Sequence, residues 1–244
     1  MGSLIDILTY VAPPVLILLL GAALRRAGWF RAEADASVSV LTVRILYPCF
    51  FFYHIVGSKE QMAPWSLMVN VGAGFTCIFV GFLVAWLTSR LTRMETKVAS
   101  SFTFCSGIFN YGYFAFPVAI ALFGKEILSK FIVFNLGVEI AIWTVGIFFL
   151  SSSGFRISRL FNPPALSILL ALLVRNLGGD AIVPGFLWEV VEMLGLCSIP
   201  IGLLLIGGSI SDLTKDFRFS DGYKIEISSI LVRLVVVPSL MVLY

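Results

Sequence analysis

Long apolar runs separated by short polar stretches dominate this chain. An α-helix needs about 20 apolar residues to cross the hydrocarbon core of a bilayer, and eight runs are of about that length. Their limits are 4–24, 38–56, 66–87, 97–123, 130–150, 160–177, 182–206 and 225–244. The pattern predicts an all-α polytopic membrane protein with about eight spans.

The fourth run, 97–123, carries helix-breaking residues at its middle. Asn110 is its central residue, and Gly107 and Gly112 flank that centre. Pro117 follows, and proline lacks an amide hydrogen and clashes with the carbonyl four residues earlier. The pattern predicts two half-helices in place of one continuous helix.

The predicted break has a physical consequence, because unwound backbone in hydrocarbon is tolerated only where protein or a water-filled cavity covers it. The first half-helix is expected to end near Ile108 and to present carbonyls. The second is expected to begin near Tyr113 and to present free amides with a partial positive charge, which can hold an anion. The alternative is a proline kink whose polar groups are satisfied by neighbouring helices.

Composition agrees with a membrane protein and narrows the function. Hydrophobic residues make up 59% of the chain, charged residues 13%, and the mean hydropathy is +1.00. The net charge of +3 comes from basic residues in short loops, so we expect no nucleic-acid partner. The four cysteines lie singly in apolar segments, and we expect neither a metal site nor a cofactor.

The distribution of basic residues predicts the orientation. Loops that follow odd-numbered spans hold Arg25, Arg26, Arg31, Arg90, Arg93, Lys97, Arg156, Arg159, Lys215, Arg218 and Lys224. Loops that follow even-numbered spans hold only Lys59, Lys125, Lys130 and Arg175. By the positive-inside rule the first set is cytoplasmic and the N-terminus lies outside. We expect a multi-pass protein of the cell (inner or plasma) membrane. Trp188 falls near a span end, where we interpret it as an interfacial anchor.

An internal repeat relates the first and sixth spans. The segment 12–26, APPVLILLLGAALRR, matches 162–176, NPPALSILLALLVRN, at six positions that include both prolines and the arginine. Pro48 in the second span corresponds to Pro200 in the seventh at nearly the same offset. The first copy would contain five spans, an odd number, so the second copy would enter the membrane from the opposite side. Inverted repeats are typical of secondary transporters with a midplane site between broken helices.

The repeat predicts the organisation of the chain. The first five-helix repeat covers 1–150, a cytoplasmic linker covers 151–161, and an incomplete second repeat of three helices covers 162–244. A full second repeat would need two further spans, so we expect a C-terminally shortened version of a ten-span protein.

The fifth span carries two polar residues one helical turn apart. Asn135 and Glu139 share a face, and Glu139 lies near the middle of the span. An ionisable residue at that depth is a functional hypothesis, here a proton or coupling-ion site. The alternative is a structural pair with Arg44 or Arg233. We interpret His54 as an interfacial residue and Glu189 and Glu192 as solvated.

The stretch from Gly107 to Pro117, GIFNYGYFAFP, resembles the G-N-x-G-x-x-x-P crossover of the auxin efflux carrier family, which includes bacterial permeases for malonate and malate. Asn162-Pro163-Pro164 and Pro200 with Gly207-Gly208 are similar to other hallmarks of that family. The resemblance implies a fold like that of sodium/proton antiporters and bile-acid symporters, with a scaffold domain, a transport domain and two crossing broken helices. The family's last two spans have no counterpart here.

The predicted break, the polar pair of the fifth span and the repeat indicate the candidate site residues. Candidate substrate-binding residues are Asn110, Tyr111, Gly112, Tyr113, Pro117 and Asn135, and Glu139 is the candidate coupling residue. Candidate hinge or crossover residues are Gly107, Pro48, Pro200 and Gly208.

These features predict a secondary transporter of a small organic carboxylate anion, with no enzymatic activity. A cation/proton antiporter of similar fold and an inactive truncated fragment are the alternatives. A membrane enzyme would need a nucleophile or metal constellation, and one histidine with scattered cysteines supplies neither. Coupling to a proton or sodium ion and assembly as a homodimer remain open.

Overall fold

A computed structural model describes residues 4–58, 63–109, 112, 115–150, 162–215 and 223–243. Twelve α-helices lie in these ranges. They are α1 (Leu4–Arg26), α2 (Asp35–Leu41), α3 (Tyr47–Val56), α4 (Pro64–Leu91), α5 (Thr96–Gly107), α6 (Ala115–Phe123), α7 (Ile127–Ala141), α8 (Ile147–Leu150), α9 (Pro163–Leu177), α10 (Gly185–Lys215), α11 (Tyr223–Leu231) and α12 (Val237–Leu243). Short 3₁₀ turns cover Ala32–Ala34 and Gly179–Ile182, and π turns cover Thr42–Leu46, Ile142–Gly146 and Val232–Val236.

Five helical stretches among the described residues are long and apolar enough to cross a membrane. They are Ala32–Val56, Pro64–Leu91, Ile127–Leu150, Gly185–Lys215 and Tyr223–Val242. Each matches one of the predicted spans. The sixth predicted span corresponds to α9, a shorter apolar helix, and the fourth is divided between α5 and α6. The structure is therefore that of a helical membrane protein, and the count of eight spans stays a prediction.

The chain forms two compact units, each assembled from separate segments. The first unit contains Met1–Met62, Asn110–Ile132 and Asn162–Phe217, and the second contains Ala63–Phe109, Val133–Phe161 and Arg218–Tyr244. Each unit thus draws on both predicted repeats. The predicted linker at 151–161 lies outside the described residues.

In the first unit, α1 packs on α10 through glycines that let the two backbones approach closely. A Cβ atom built on Gly21 would lie 2.2 Å from the carbonyl oxygen of Leu204. One built on Gly207 would lie 1.9 Å from the carbonyl oxygen of Leu18. Only glycine fits at either position with this helix spacing.

Helix α3 packs on both α9 and α10 in the same unit. Gly195 of α10 faces the backbone of Phe50, where a Cβ would lie 3.0 Å from the Phe50 Cα. The Phe50 ring contacts Phe116 of α6, with ring centroids 5.1 Å apart. The aromatic core of this unit therefore joins α3 to α6.

In the second unit, glycines likewise allow the backbones of α4 and α7 to approach closely. A Cβ on Gly74 would lie 2.0 Å from the carbonyl oxygen of Phe134, and one on Gly137 would lie 1.9 Å from that of Val71. Close approach of two helices again depends on glycine on both partners.

Two of the π turns stand just before a proline. Thr42–Leu46 precedes Pro48, and Val232–Val236 precedes Pro238. Proline removes one backbone amide from the helical ladder, and a widened turn lets the carbonyls of the preceding turn find other donors. The apolar runs through these prolines consequently continue as helices with a local bulge.

The start of α9 is capped by the Asn-Pro-Pro sequence. The Asn162 side chain accepts a hydrogen bond from the Ala165 amide at 2.9 Å, and Pro163 and Pro164 occupy positions that need no amide donor. We expect Asn162→Ala to lower the free energy of unfolding by about 1 kcal/mol, as loss of an N-cap does. Thermal unfolding of purified protein measures this. Asn176→Ala near the exposed end of the same helix is the control, and an equal loss there would contradict the capping role.

Candidate functional site

The helical path of the fourth predicted span is interrupted. Helix α5 ends at Gly107, and Ile108 has extended backbone angles of φ −95° and ψ 129°. The next described helix, α6, begins at Ala115. The predicted break is thus present, and α5 ends one residue before Ile108, where the first half-helix was expected to end. Asn110, Tyr111 and Tyr113 lie outside the described residues, so their predicted role in binding stays a prediction.

Gly107 holds the end of α5 against α4 in the second unit. A Cβ on Gly107 would lie 2.5 Å from the ring of Phe82 and 3.0 Å from its backbone nitrogen. A Cβ on Gly81 would lie 2.3 Å from the Gly107 carbonyl oxygen. In addition, the Ser106 and Ser229 hydroxyls are 2.9 Å apart. Gly107 is therefore required by packing, whatever hinge role it also has.

The start of α6 lies in the first unit. The Gly112 carbonyl accepts a hydrogen bond from the Phe116 amide at 3.0 Å, and a Cβ on Gly112 would lie 2.9 Å from the Tyr47 hydroxyl. Pro117 is the third residue of α6, close to the helix start, where proline is tolerated better than in a helix interior. Proline here helps to begin the second half-helix.

Asn135 and Glu139 belong to the second unit, one turn apart on α7, as their spacing predicted. Asn135 is only 2% exposed. Glu139 is half-buried, and its Oε2 accepts a hydrogen bond from the Trp143 Nε1 at 2.9 Å. Arg233, a proposed structural partner in the same unit, has an exposed side chain. The Trp143 indole is a neutral donor, and the predicted role of Glu139 in coupling stays a prediction.

The three remaining hinge candidates lie in the first unit. Pro48 follows a π turn at the start of α3 and is half-buried. Pro200 lies inside α10, which continues through it from Gly185 to Lys215. Gly208, near the end of α10, is buried, and a Cβ there would lie 2.9 Å from Nη2 of Arg25.

A buried ion cluster around Arg25 was not predicted. Its guanidinium, 3% exposed, donates from Nη2 to Asp35 Oδ1 and lies with Nε 3.3 Å from Asp212 Oδ2. The guanidinium carbon is also 4.7 Å from the centre of the Phe30 ring. The sequence placed Arg25 among cytoplasmic loop charges, but the cluster ties the end of α1 to the start of α2 and to the end of α10.

A cavity of about 980 Å³ opens in the first unit, between α3, α6, the turn before α7 and α10. We call it the vestibule. Its polar and amphipathic lining residues are Tyr53, His54, Lys125, Glu126, Trp188 and Glu192. Phe50, Ile120, Leu128 and Leu196 contribute apolar walls.

The vestibule was not predicted from the sequence, because Trp188 was assigned to the membrane interface and Glu192 to solvent. The residue spacing contained a signal for the vestibule. Trp188 and Glu192 are four residues apart and share a face of α10, and Tyr53 and Gly57 have the same spacing where α3 ends. Contacts between these faces join the two helices. Tyr53 donates to Glu192 Oε1 at 2.6 Å, and the Tyr53 and Trp188 ring centroids are 5.1 Å apart.

Among the described residues, no group of three or more histidine, cysteine, aspartate or glutamate side chains is placed to hold a metal ion. His54 in the vestibule packs edge-on against Phe50, with centroids 4.4 Å apart. Its surroundings are thus aromatic as well as polar.

Comparison with known proteins agrees with the helical membrane architecture. The family described as membrane transport protein matches residues 6–159. An uncharacterized transporter of Methanothermobacter thermautotrophicus is 23% identical over 227 residues, covering 90% of this chain and 70% of its own length. An uncharacterized transporter of Methanocaldococcus jannaschii is 23% identical over 217 residues, covering 83% of this chain and 68% of its own. The family match spans more than half of this chain and includes the interrupted fourth span, so the chain belongs to the membrane transport protein family, the auxin efflux carrier family that its sequence resembles.

Proposed function

We propose that this protein carries a small organic carboxylate across the cell membrane by alternating access, with a substrate site at the interruption between Gly107 and Ala115. The observation that carries the proposal is the end of α5 at Gly107 followed by extended backbone at Ile108. Unwound backbone inside a membrane is stable only where protein or a water-filled cavity covers its polar groups. A ligand site between broken helices supplies that cover.

The helix ends at the interruption favour an anion. The N-terminal turn of α6 carries a partial positive charge, and its backbone amides point along the helix axis toward the preceding residues. Asn110, at the centre of the break, would add an amide that donates and accepts hydrogen bonds. A carboxylate held this way needs no fixed cationic side chain.

Helix pairing in the first unit supports the predicted inverted repeat. In the repeat register, α1 corresponds to α9, and the span containing α3 corresponds to α10. Contacts occur between α1 and α10 and between α9 and α3, which is the pattern that a two-fold exchange of the repeats produces. Ala171, the register equivalent of Gly21, is fully buried in α9. Small residues thus stand at equivalent positions of both helices.

Substrate binding and transport are testable with Asn110→Ala. We expect a carboxylate from a panel of mono- and dicarboxylates to raise the melting temperature of the purified wild-type protein. We also expect Asn110→Ala to weaken binding and uptake of that carboxylate into proteoliposomes by about tenfold, since one hydrogen bond to a charged group contributes ~1.5–3 kcal/mol.

Asn176→Ala, at an exposed position on α9, is the matched control and is expected to bind and transport as wild type does. The proposal fails if no carboxylate binds or is taken up, or if both asparagine variants lose uptake equally.

The second candidate function is cation/proton antiport with Glu139 as the exchanging acid, and the half-buried position of Glu139 favours it. Cation-dependent proton flux, followed with a pH-sensitive dye in proteoliposomes, distinguishes the two functions. Flux that is abolished by Glu139→Gln, without any carboxylate uptake by wild type, would replace the first proposal by the second.

A further inference from the structure

The vestibule is the size of a site for an organic molecule. Its volume of about 980 Å³ stands at the upper end of the ~300–1,000 Å³ found for small-molecule sites. A bare metal ion would need a compact set of ligands, and the described residues form none. The ligand it fits is therefore organic.

The charges on the vestibule walls favour a cation. Two carboxylates, Glu126 and Glu192, face the cavity with one ammonium, Lys125. Lys125 and Glu126 are neighbours in one exposed turn, where solvent weakens their interactions, whereas Glu192 is half-buried on α10. The better shielded charge in the cavity is thus negative.

One wall of the vestibule is aromatic and held in place. The Trp188 indole lies beside the Tyr53 ring at an interplanar angle of 40°. It also packs on Gly57, where a Cβ would lie 3.1 Å from Trp188 Cζ2. The Tyr53 hydroxyl in turn fixes the Glu192 carboxylate through the 2.6 Å hydrogen bond. The indole face and the carboxylate are consequently ordered before any ligand arrives.

We propose that the vestibule binds an organic ammonium ion, with Trp188 supplying a cation–π contact and Glu192 the counter-charge. Tryptophan is the most favourable aromatic residue for this contact, which strengthens when the cation is shielded from water. Glu126 at the rim adds a weaker, exposed attraction. The vestibule lining includes none of the residues proposed above for carboxylate binding, and its occupancy is measured without transport.

Isothermal titration of the purified full chain in detergent tests the proposal. The probe is benzyltrimethylammonium at pH 8, where an unperturbed imidazole is neutral, and benzoate is the anionic counterpart of similar size. We expect benzyltrimethylammonium to bind in the vestibule and benzoate to bind there at least tenfold more weakly. Any benzoate that binds at the proposed carboxylate site is expected to be unaffected by Trp188→Leu. Trp188→Leu and Glu192→Gln are each expected to weaken binding of the ammonium probe by tenfold or more.

The matched controls remove residues of the same two types, glutamate and tryptophan, from exposed positions outside the vestibule. Glu189→Gln removes an exposed carboxylate one turn from Glu192, and Trp65→Leu removes an exposed tryptophan. Both are expected to change affinity by less than twofold. Glu126→Gln, at an exposed position that should not disturb folding, is expected to weaken binding two- to fivefold and so provides a test even if Glu192→Gln does not fold.

Several outcomes would overturn the assignment. They are no binding of benzyltrimethylammonium, benzoate binding that is as tight and is weakened equally by Trp188→Leu, full affinity for the ammonium probe in Trp188→Leu or Glu126→Gln, or equal losses in Glu192→Gln and Glu189→Gln. The last result would mean that the probe responds to total charge alone.

Discussion

Gly207→Ala is expected to destabilise the first unit severely, while Gly72→Ala leaves the protein as stable as wild type or slightly more stable. A Cβ at position 207 would lie 1.9 Å from the Leu18 carbonyl oxygen, a backbone atom that moves only if α1 moves. Overpacking of this kind costs ~1–3 kcal/mol or more. No described atom lies within 4 Å of a Cβ at Gly72, so the change there gains only the ~1 kcal/mol by which alanine exceeds glycine in helix propensity.

Thermal unfolding and recovery of monodisperse protein in detergent measure both variants. The pair is matched because each glycine lies inside a long apolar helix and each receives the same methyl group. If the two melting temperatures shift equally and in the same direction, close packing of α1 on α10 is not what position 207 requires.

Removing the anions of the Arg25 cluster is expected to cost more stability than removing the cation. Arg25 is 3% exposed, while the side chains of Asp35 and Asp212 are 31% and 38% exposed. In Arg25→Met the two carboxylates regain water, and we expect a loss of ~1–3 kcal/mol. In the double variant Asp35→Asn/Asp212→Asn a buried guanidinium loses its counter-charges, and we expect ~3–5 kcal/mol, as for other broken buried pairs.

Thermal or denaturant unfolding of the variants measures which of them loses more free energy of unfolding. Arg26→Met is the control, because Arg26 is the exposed neighbour in the same turn, and it should unfold as wild type does. A larger loss in Arg25→Met than in the double aspartate variant would mean that Arg25 is held by packing on Gly208 and Phe30, and not by its ion pairs.

Local chemistry allowed the interrupted span to be predicted. Gly107, Asn110, Gly112 and Pro117 are poor helix residues in an otherwise apolar run, and their effect on the backbone operates within a few residues. The observed helix end at Gly107 and start at Ala115 are within two residues of the predicted positions. Asn162 was noted only as part of a family hallmark, and its capping of α9 through the Ala165 amide is a finding of the structure.

The features that were not predicted depend on contacts between residues far apart in the chain. Arg25 was counted as a loop charge because its bond to Asp212 depends on the packing of α1 along α10. Glu192 and Trp188 were taken for surface residues because Tyr53, which orders both, is distant in sequence. Gly21 resembled an ordinary membrane glycine, and Gly207 was noted only as part of a family hallmark. The backbone carbonyls that face them in the structure distinguish both from Gly72.

The sequence by itself determined that this is a helical membrane protein of its family, where five of its long apolar helices lie and where the fourth predicted span is broken. These properties follow from apolar run length and from the backbone limits of glycine, proline and asparagine, which act locally. Tertiary structure alone decided that segments from both predicted repeats build each unit, that Arg25 is buried between two aspartates, and that α3, α6 and α10 line a vestibule. Those features arise from contacts between residues far apart in the chain, where a side chain's surroundings depend on which helix packs beside it.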